Sequence, residues 1–150
     1  MTFNTKVTTV KLAKLRDDAV IPMRATPGSF GYDLSLVDPM ILPAGGRVLL
    51  PSGLRLASPL PPGIAMLVWP RSSTFLKYGI MVGNSIGLID ADYSGEIKVL
   101  AWNTTDQTVE LPAGIKVAQL VFPRLELPFV QEAAVNTSMA ERGGFGSTGA

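Results

Sequence analysis

Apolar residues run along this chain in short bursts, each closed by Pro, Gly, Asn, Asp or Ser. The bursts predict strands over residues 7–12, 32–36, 48–50, 54–57, 64–69, 80–82, 87–89, 96–103, 108–111, 116–122 and 127–130. Val, Ile, Leu and aromatic residues dominate them, as a pleated, half-buried surface prefers. Residues 96–99 alternate, with Glu96 and Lys98 on one face and Ile97 and Val99 on the other. Helical signals are weak. A short turn of helix is predicted over residues 73–78, capped by Ser72 or Ser73 and stopped by Gly79. Many short strands with regular turn signals predict an all-β fold, a jelly-roll-like barrel or sandwich with at most one short helix.

The C-terminus has another character. From Asn136 to Ala150 the only apolar residues are Met139, Phe145 and alanines, and Gly143, Gly144, Gly146 and Gly149 surround Ser147 and Thr148. Such a stretch buries too little apolar surface to order itself. The division that follows is a β domain over residues 1–135 and a flexible arm over 136–150. A frayed terminus accounts for this composition. So does an arm that orders on a ligand, with Phe145 as its anchor and Arg142, Ser147, Thr148 and glycine amides as phosphate donors.

Composition narrows the chemistry. The chain of 150 residues fits one domain. It holds neither Cys nor His, which excludes disulfides, thiol or imidazole catalysis and a Cys/His zinc site. A metal has only carboxylates, carbonyls, water or substrate phosphate to bind, which favours hard cations such as Mg²⁺. The net charge of +1 gives no field for nucleic acid or a membrane surface, and neither partner is expected. With no apolar N-terminal core to read as a signal and no unbroken apolar span, a cytoplasmic location is the default expectation. Asn103 and Asn136 each begin an Asn-x-Ser/Thr pattern, read here as chance.

The available bases are Asp, Glu, Lys and Tyr. Asp90 and Asp92 lie in Gly87-Leu-Ile-Asp-Ala-Asp-Tyr-Ser-Gly-Glu96, which reads as strand, tight acidic loop, strand. Two neighbouring carboxylates suit a general base or a cation site. Ordinary turn chemistry accounts for the same residues. Pro70-Arg-Ser-Ser73 leads into the one helical turn, where Arg and Ser side chains with free amides make an anion cradle; a capped helix with a surface Arg is the plain alternative. No Walker loop or dinucleotide fingerprint occurs.

Five segments, in order, resemble the five motifs of the trimeric deoxyuridine triphosphate nucleotidohydrolases (dUTPases). They are Ala25-Thr-Pro-Gly-Ser-Phe-Gly-Tyr-Asp-Leu34, Pro70-Arg-Ser-Ser-Thr-Phe-Leu-Lys-Tyr-Gly-Ile80, Gly83-Asn-Ser-Ile-Gly-Leu-Ile-Asp-Ala-Asp-Tyr-Ser-Gly-Glu96, Lys116-Val-Ala-Gln-Leu-Val-Phe122 and Glu141-Arg-Gly-Gly-Phe-Gly-Ser-Thr-Gly149. The resemblance implies a jelly-roll-like fold and a homotrimer with sites between subunits. The implied reaction is dUTP plus water giving dUMP and pyrophosphate, with Mg²⁺ on the triphosphate, a step that limits uracil in DNA and supplies dUMP for dTMP synthesis.

The resemblance also implies roles. Asp90 would orient and activate the water that attacks the α-phosphorus, with Asp92 the second candidate. Asn84 and the hairpin around it, with Gly87 and Ile89, would read uracil, and Tyr93 would pack on the deoxyribose and exclude a 2′-hydroxyl. Lys98 joins this substrate-binding set. Arg71, Ser72 and Ser73 would bind phosphates, and Gln119 a phosphate or the attacking water. Asp33 would stand near the metal's water shell or hold an arginine, with no direct protein ligand to the metal. Phe145 would stack on uracil as the arm closes, with Arg142, Gly146, Ser147 and Thr148 toward the phosphates. The chain departs from the family pattern in places. Arg142 stands two residues nearer to Phe145 than the usual spacing, Ser73 replaces a glycine, Phe30 a small residue, and Ser94 a basic one. The alternatives within this reading are a dCTP deaminase of the same fold, bifunctional or not, and a dUTP-sensing regulatory protein.

Overall fold

The computed structural model describes residues 8–136 and Ser138. Eleven strands and one helix follow one another: β1 Leu12–Lys14, β2 Tyr32–Ser35, β3 Met40–Leu42, β4 Arg47–Pro51, β5 Leu54–Leu56, β6 Met66–Pro70, α1 Ser72–Tyr78, β7 Ile80–Val82, β8 Gly87–Ile89, β9 Lys98–Asn103, β10 Val109–Leu111 and β11 Lys116–Val121. The architecture is the expected all-β sandwich of jelly-roll type with one short helix. One sheet has the order β2-β11-β6-β8 and the other β4-β9-β7, and the pairs β1-β5 and β10-β3 complete the described strands. All named pairings are antiparallel.

The alternation read in the sequence becomes the two faces of each strand. In β9, Val99 and Ala101 face the core while Lys98 and Trp102 face out. In the first sheet, Leu34, Met66, Val68, Ala118 and Leu120 point inward, and with Leu42, Leu50, Leu54, Ile97 and Leu111 they form a single buried core. Asn103 is fully buried but fully used. Its amide nitrogen donates to the carbonyls of Leu42, Pro43 and Gln107 at 3.1, 3.0 and 2.7 Å, and its oxygen accepts from the amide and hydroxyl of Thr105. This polar bolt ties the ends of β3 and β9 together and bars Asn103 from glycosylation.

The structure corrects the sequence reading at the helix and in three strands. Arg71, in extended conformation, is the N-cap; Ser72 and Ser73 are the first helical residues, and no side chain caps the helix. Gly79 does stop it. Its φ of 61° is left-handed, and a β-carbon there would also strike Thr105. The first strand begins only at Leu12, because its partner β5 is itself short, with a last ladder bond from the Ala57 amide to the Lys11 carbonyl; Val7 lies outside the described residues. Residues 127–130 form no strand. Leu127, Phe129 and Val130 stand fully exposed with no backbone partner among the described residues, and strand composition without a ladder does not make a strand. β3 was missed because Pro39 and Pro43 enclose only three residues. Of the predicted arm, only Asn136 and Ser138 fall within the described residues.

Candidate active site

The predicted site residues fall into two groups. The first surrounds a cavity of about 300 Å³ between the turn that joins β7 to β8 and the outer face of β4 and β9. Asn84, Gly87, Ile89, Tyr93 and Lys98 line it together with Val68, Leu100 and Glu96. The volume is at the lower end for ligand sites and suits a nucleoside more than a larger ligand. The turn is shaped for close approach. Ser85, beside Asn84, has a φ of 66°, a left-handed conformation uncommon for a residue with a side chain. A β-carbon on Gly87 would press on the Val68 side chain at 3.1 Å and reach the Asn84 amide at 3.5 Å, so the bare backbone leaves the carboxamide its room.

Asp90 and Tyr93 sit on the loop leaving β8. The Tyr93 amide donates to the Asp90 carbonyl at 3.1 Å, and the Leu60 amide holds the Ala91 carbonyl at 2.8 Å. Asp90 and Asp92 are both exposed. The Tyr93 ring folds over Gly95, where any β-carbon would collide with it, and its hydroxyl donates to the Glu96 carbonyl at 3.1 Å.

The second group is a row across the outer face of the first sheet. Register places Asp33 on β2 opposite Gln119 on β11, and Gln119 opposite Trp69 on β6. The Asp33 carboxylate, largely buried, takes the Arg71 guanidinium at 2.8 Å on one oxygen and the Lys116 ammonium at 2.7 Å on the other. Arg71 also donates to the Lys116 carbonyl at 3.0 Å. The Gln119 amide donates to the Pro70 carbonyl at 2.9 Å, over Gly31, whose missing side chain leaves Gln119 its place. Of the two roles given for Asp33, this geometry displays the arginine-holding one. Ser73 lines a cleft beside Arg71, Lys77 and Lys116, and Ser72 is exposed at the same corner. Two cations against one carboxylate leave a surplus of positive charge, which suits a phosphate chain.

The two groups do not meet within the chain. β8 and β2 are opposite edges of the sheet, three strand spacings apart, or about 14 Å. Ile89 pairs with Met66, and Arg71 lies five residues further on, just past the end of β6 and away from Asp90, or about 17 Å. The acidic loop and the Arg71 guanidinium are therefore about 20 Å apart. Arg142, Phe145, Gly146, Ser147 and Thr148 lie outside the described residues. Sequence reasoning gave no role to Lys116, Gly31 or Glu96. Lys116 and Gly31 stand inside the quoted motifs, but only the sheet register shows what they touch.

A larger open groove of about 1080 Å³ lies elsewhere, lined by Val10, Leu12, Ile21, Phe30, Tyr32 and Phe122, and contains none of the predicted site residues. Among the described residues there is no cluster of three carboxylates able to hold a metal, and no helix is long and apolar enough to cross a membrane.

Known proteins share this arrangement of segments. The dUTPase family model matches residues 17–149. The deoxyuridine 5′-triphosphate nucleotidohydrolase of Thiobacillus denitrificans is 43% identical over 140 residues, covering 91% of this chain and 94% of the relative. That of Hydrogenobaculum is 42% identical over 138 residues, with the same coverage. Among solved structures, the dUTPase of Streptococcus mutans superposes with a TM-score of 0.70 at 35% identity, over 78% of this chain and 98% of that one. A G164S mutant of the Staphylococcus bacteriophage 80alpha dUTPase with dUpNHpp shares the fold at a TM-score of 0.84 and 21% identity, over 96% of this chain and all of that one. With a family model matched over nearly its whole length and relatives above 40% identity, the chain belongs to the dUTPase family.

Proposed function

We propose that this chain hydrolyses dUTP to dUMP and pyrophosphate, with Asp90 as the base at a site assembled from more than one copy of the chain. The chain is a dUTP diphosphatase by family, and one observation carries the mechanism: Asp90 and Tyr93 share a short loop at the wall of a nucleoside-sized cavity that also holds Asn84, Gly87, Ile89 and Lys98. Asn84 offers a donor and an acceptor to the uracil edge. A cytosine would leave those groups unpaired, which a closed site penalises heavily. Tyr93 packs on the sugar and leaves a 2′-hydroxyl no space.

The attacking water gives its proton to an Asp90 oxygen as its own oxygen bonds to the α-phosphorus. The bond from that phosphorus to the bridging oxygen breaks, and pyrophosphate leaves with the electron pair. An aspartate is a weak base at neutral pH, so orientation of the water supplies most of its effect. The arginine, serines and glutamine of the second group (Arg71, Ser72, Ser73, Gln119) bind phosphate oxygens, with Asp33 fixing Arg71 and Lys116. A phosphate held at Arg71 of the same chain lies far outside the ~3–3.5 Å approach that an in-line attack requires, even allowing for the length of a triphosphate. The two groups thus serve different substrate molecules, and a neighbouring copy completes each site, in keeping with a homotrimer. The fully exposed Leu127, Phe129 and Val130 support association, since such side chains gain by burial.

The donor set fits a Mg²⁺ ion brought in on the triphosphate: Asp33 is already committed to two cations, and Asp90 and Asp92 remain open to solvent. Bound there, Mg²⁺ neutralises charge developing on the phosphate oxygens. The arm over 136–150 closes on the site, with Phe145 on the base and Arg142, Gly146, Ser147 and Thr148 toward the phosphates, and excludes water.

The test is product analysis with Mg²⁺ and each of dUTP, dCTP, dTTP and UTP, for wild type and Asp90→Asn. Cleavage of dUTP alone, to dUMP and pyrophosphate, lost in Asp90→Asn while binding persists, is the expected result. Release of ammonia from dCTP would move the chain to the deaminase branch, and binding of dUTP without turnover by wild type would make it a sensor.

A further inference from the structure

Glu96 lies next to the acidic loop, carries none of the roles described above, and is the meeting point of three bonds. Its Oε1 accepts the Gly53 amide at 2.8 Å, its Oε2 lies 3.4 Å from the Lys98 ammonium, and its carbonyl accepts the Tyr93 hydroxyl at 3.1 Å. Glu96, Tyr93 and Lys98 all line the nucleoside-sized cavity. The three bonds differ in weight. The Lys98 side chain is 43% exposed, so that ion pair is a weak restraint. The bond from Gly53 is short, charge-assisted and part-buried, and is the firm one.

Gly53 belongs to the rigid part of the molecule. It has a φ of 68°, and a β-carbon there would crowd Ala19 and Val37. Around it the buried Ser52 hydroxyl donates to the Ile97 carbonyl, and the Ile97 amide donates to the Leu54 carbonyl at 2.8 Å. The β4–β5 turn is therefore fixed to the core, whereas residues 91–94 of the acidic loop are exposed. Glu96 is where the fixed part grips the exposed part.

We propose that Glu96 is a positioning residue: its carboxylate, anchored on the Gly53 amide, fixes Tyr93 and Lys98 along the cavity wall and thereby sets the discrimination between dUTP and UTP. The inference rests on reading the cavity as the nucleoside site. The experiment compares wild type, Glu96→Gln and Glu96→Ala by kcat and KM for dUTP and UTP, by thermal midpoint, and by the proton NOE between the Tyr93 ring and the Gly95 α-protons. Glu96→Ala is expected to lower the dUTP-to-UTP ratio of kcat/KM about tenfold, the effect of losing one charge-assisted bond, with the change in KM exceeding that in kcat. The NOE weakens in parallel. Glu96→Gln keeps an acceptor for Gly53 and retains both the ratio and the NOE. A wild-type ratio and NOE in Glu96→Ala overturn the proposal, as does a glutamine variant no better than the alanine one. Should Glu96→Ala fail to fold, Glu96→Asp, whose carboxylate is withdrawn by one methylene from the Gly53 amide, carries the test, and a wild-type ratio and NOE in it overturn the proposal. A wild type without preference for dUTP sinks the nucleoside reading instead, and the NOE still decides whether Glu96 holds the ring.

Discussion

Mixing two inactive variants tests the composite site directly. Arg71→Ala removes a cation from the proposed phosphate row, and Asp90→Asn removes the proposed base. The two positions lie about 20 Å apart in one chain, so no triphosphate can use both from the same copy. Each homo-oligomer is then inactive: every site of the first lacks the arginine and every site of the second lacks the base. Mixed oligomers differ. If a site takes its acidic loop from one copy and its phosphate row from another, it is intact when the loop comes from the Arg71→Ala chain and the row from the Asp90→Asn chain. Random equal mixing makes each condition true half the time, so about a quarter of the sites regain both groups. The assay denatures and refolds the variants together and separately and follows pyrophosphate release from dUTP. Recovery of about a quarter of wild-type activity per chain is expected in the mixture only. If the co-refolded mixture forms hetero-oligomers, shown by a tag on one variant, and stays as inactive as its parents, the division of labour between copies is refuted.

Other perturbations separate site from scaffold. Asp33→Ala releases Arg71 and Lys116 together and should raise KM for dUTP about tenfold with a small loss of thermal midpoint, read from steady-state kinetics and calorimetry. Gly31→Ala puts a methyl where the Gln119 amide lies, so its kinetic defect should match that of Gln119→Ala, and the double variant should be no worse than either. Asn103→Ala strips three carbonyls and the Thr105 groups of their buried partner and should cost about 3 kcal/mol, or about 6–12 °C in thermal midpoint for a domain of this length. The Asp18 carboxyl is held below its ordinary range by hydrogen bonds from Arg16, so its contribution to stability is present above that range and fades as pH falls through the lowered value. A carbon-detected titration of Asp18 should move up toward the ordinary value in Arg16→Ala.

The sequence revealed what is local and hid what is assembled. Asn84 to Tyr93 is continuous in the chain, so the turn and acidic loop are legible as a unit from sequence alone. The link from Asp33 to Arg71 and Lys116 spans three strands, and only the register of β2, β11 and β6 shows it. The resemblance implied sites between subunits, but which motifs stand apart within one chain shows only in the sheet order, which puts β8 and β2 on opposite edges. Residues 127–130 have the composition of a strand, but composition does not supply a partner. The helix cap was misjudged because the chain enters α1 straight from β6, which makes Arg71 the boundary and draws Ser72 into the first turn.

The place of β11 in its sheet bears on how this protein is made. This strand is the penultimate one in sheet order, paired on one side with β2 and on the other with β6, yet among the described residues it is the last strand to be synthesised. Until residue 121 has left the ribosome, β2 has nothing in its own sheet to pair with, and Leu34 and Val68 lack the Ala118 and Leu120 they pack beside. β2 must therefore wait unpaired in its sheet until residues 116–121 have been translated, while β6 and β8 can already pair. Folding then depends on contacts between distant parts of the chain, which makes it slow and leaves the late intermediate prone to aggregation. A stop codon anywhere before Lys116 removes more than the C-terminus, for it leaves the larger sheet split in two.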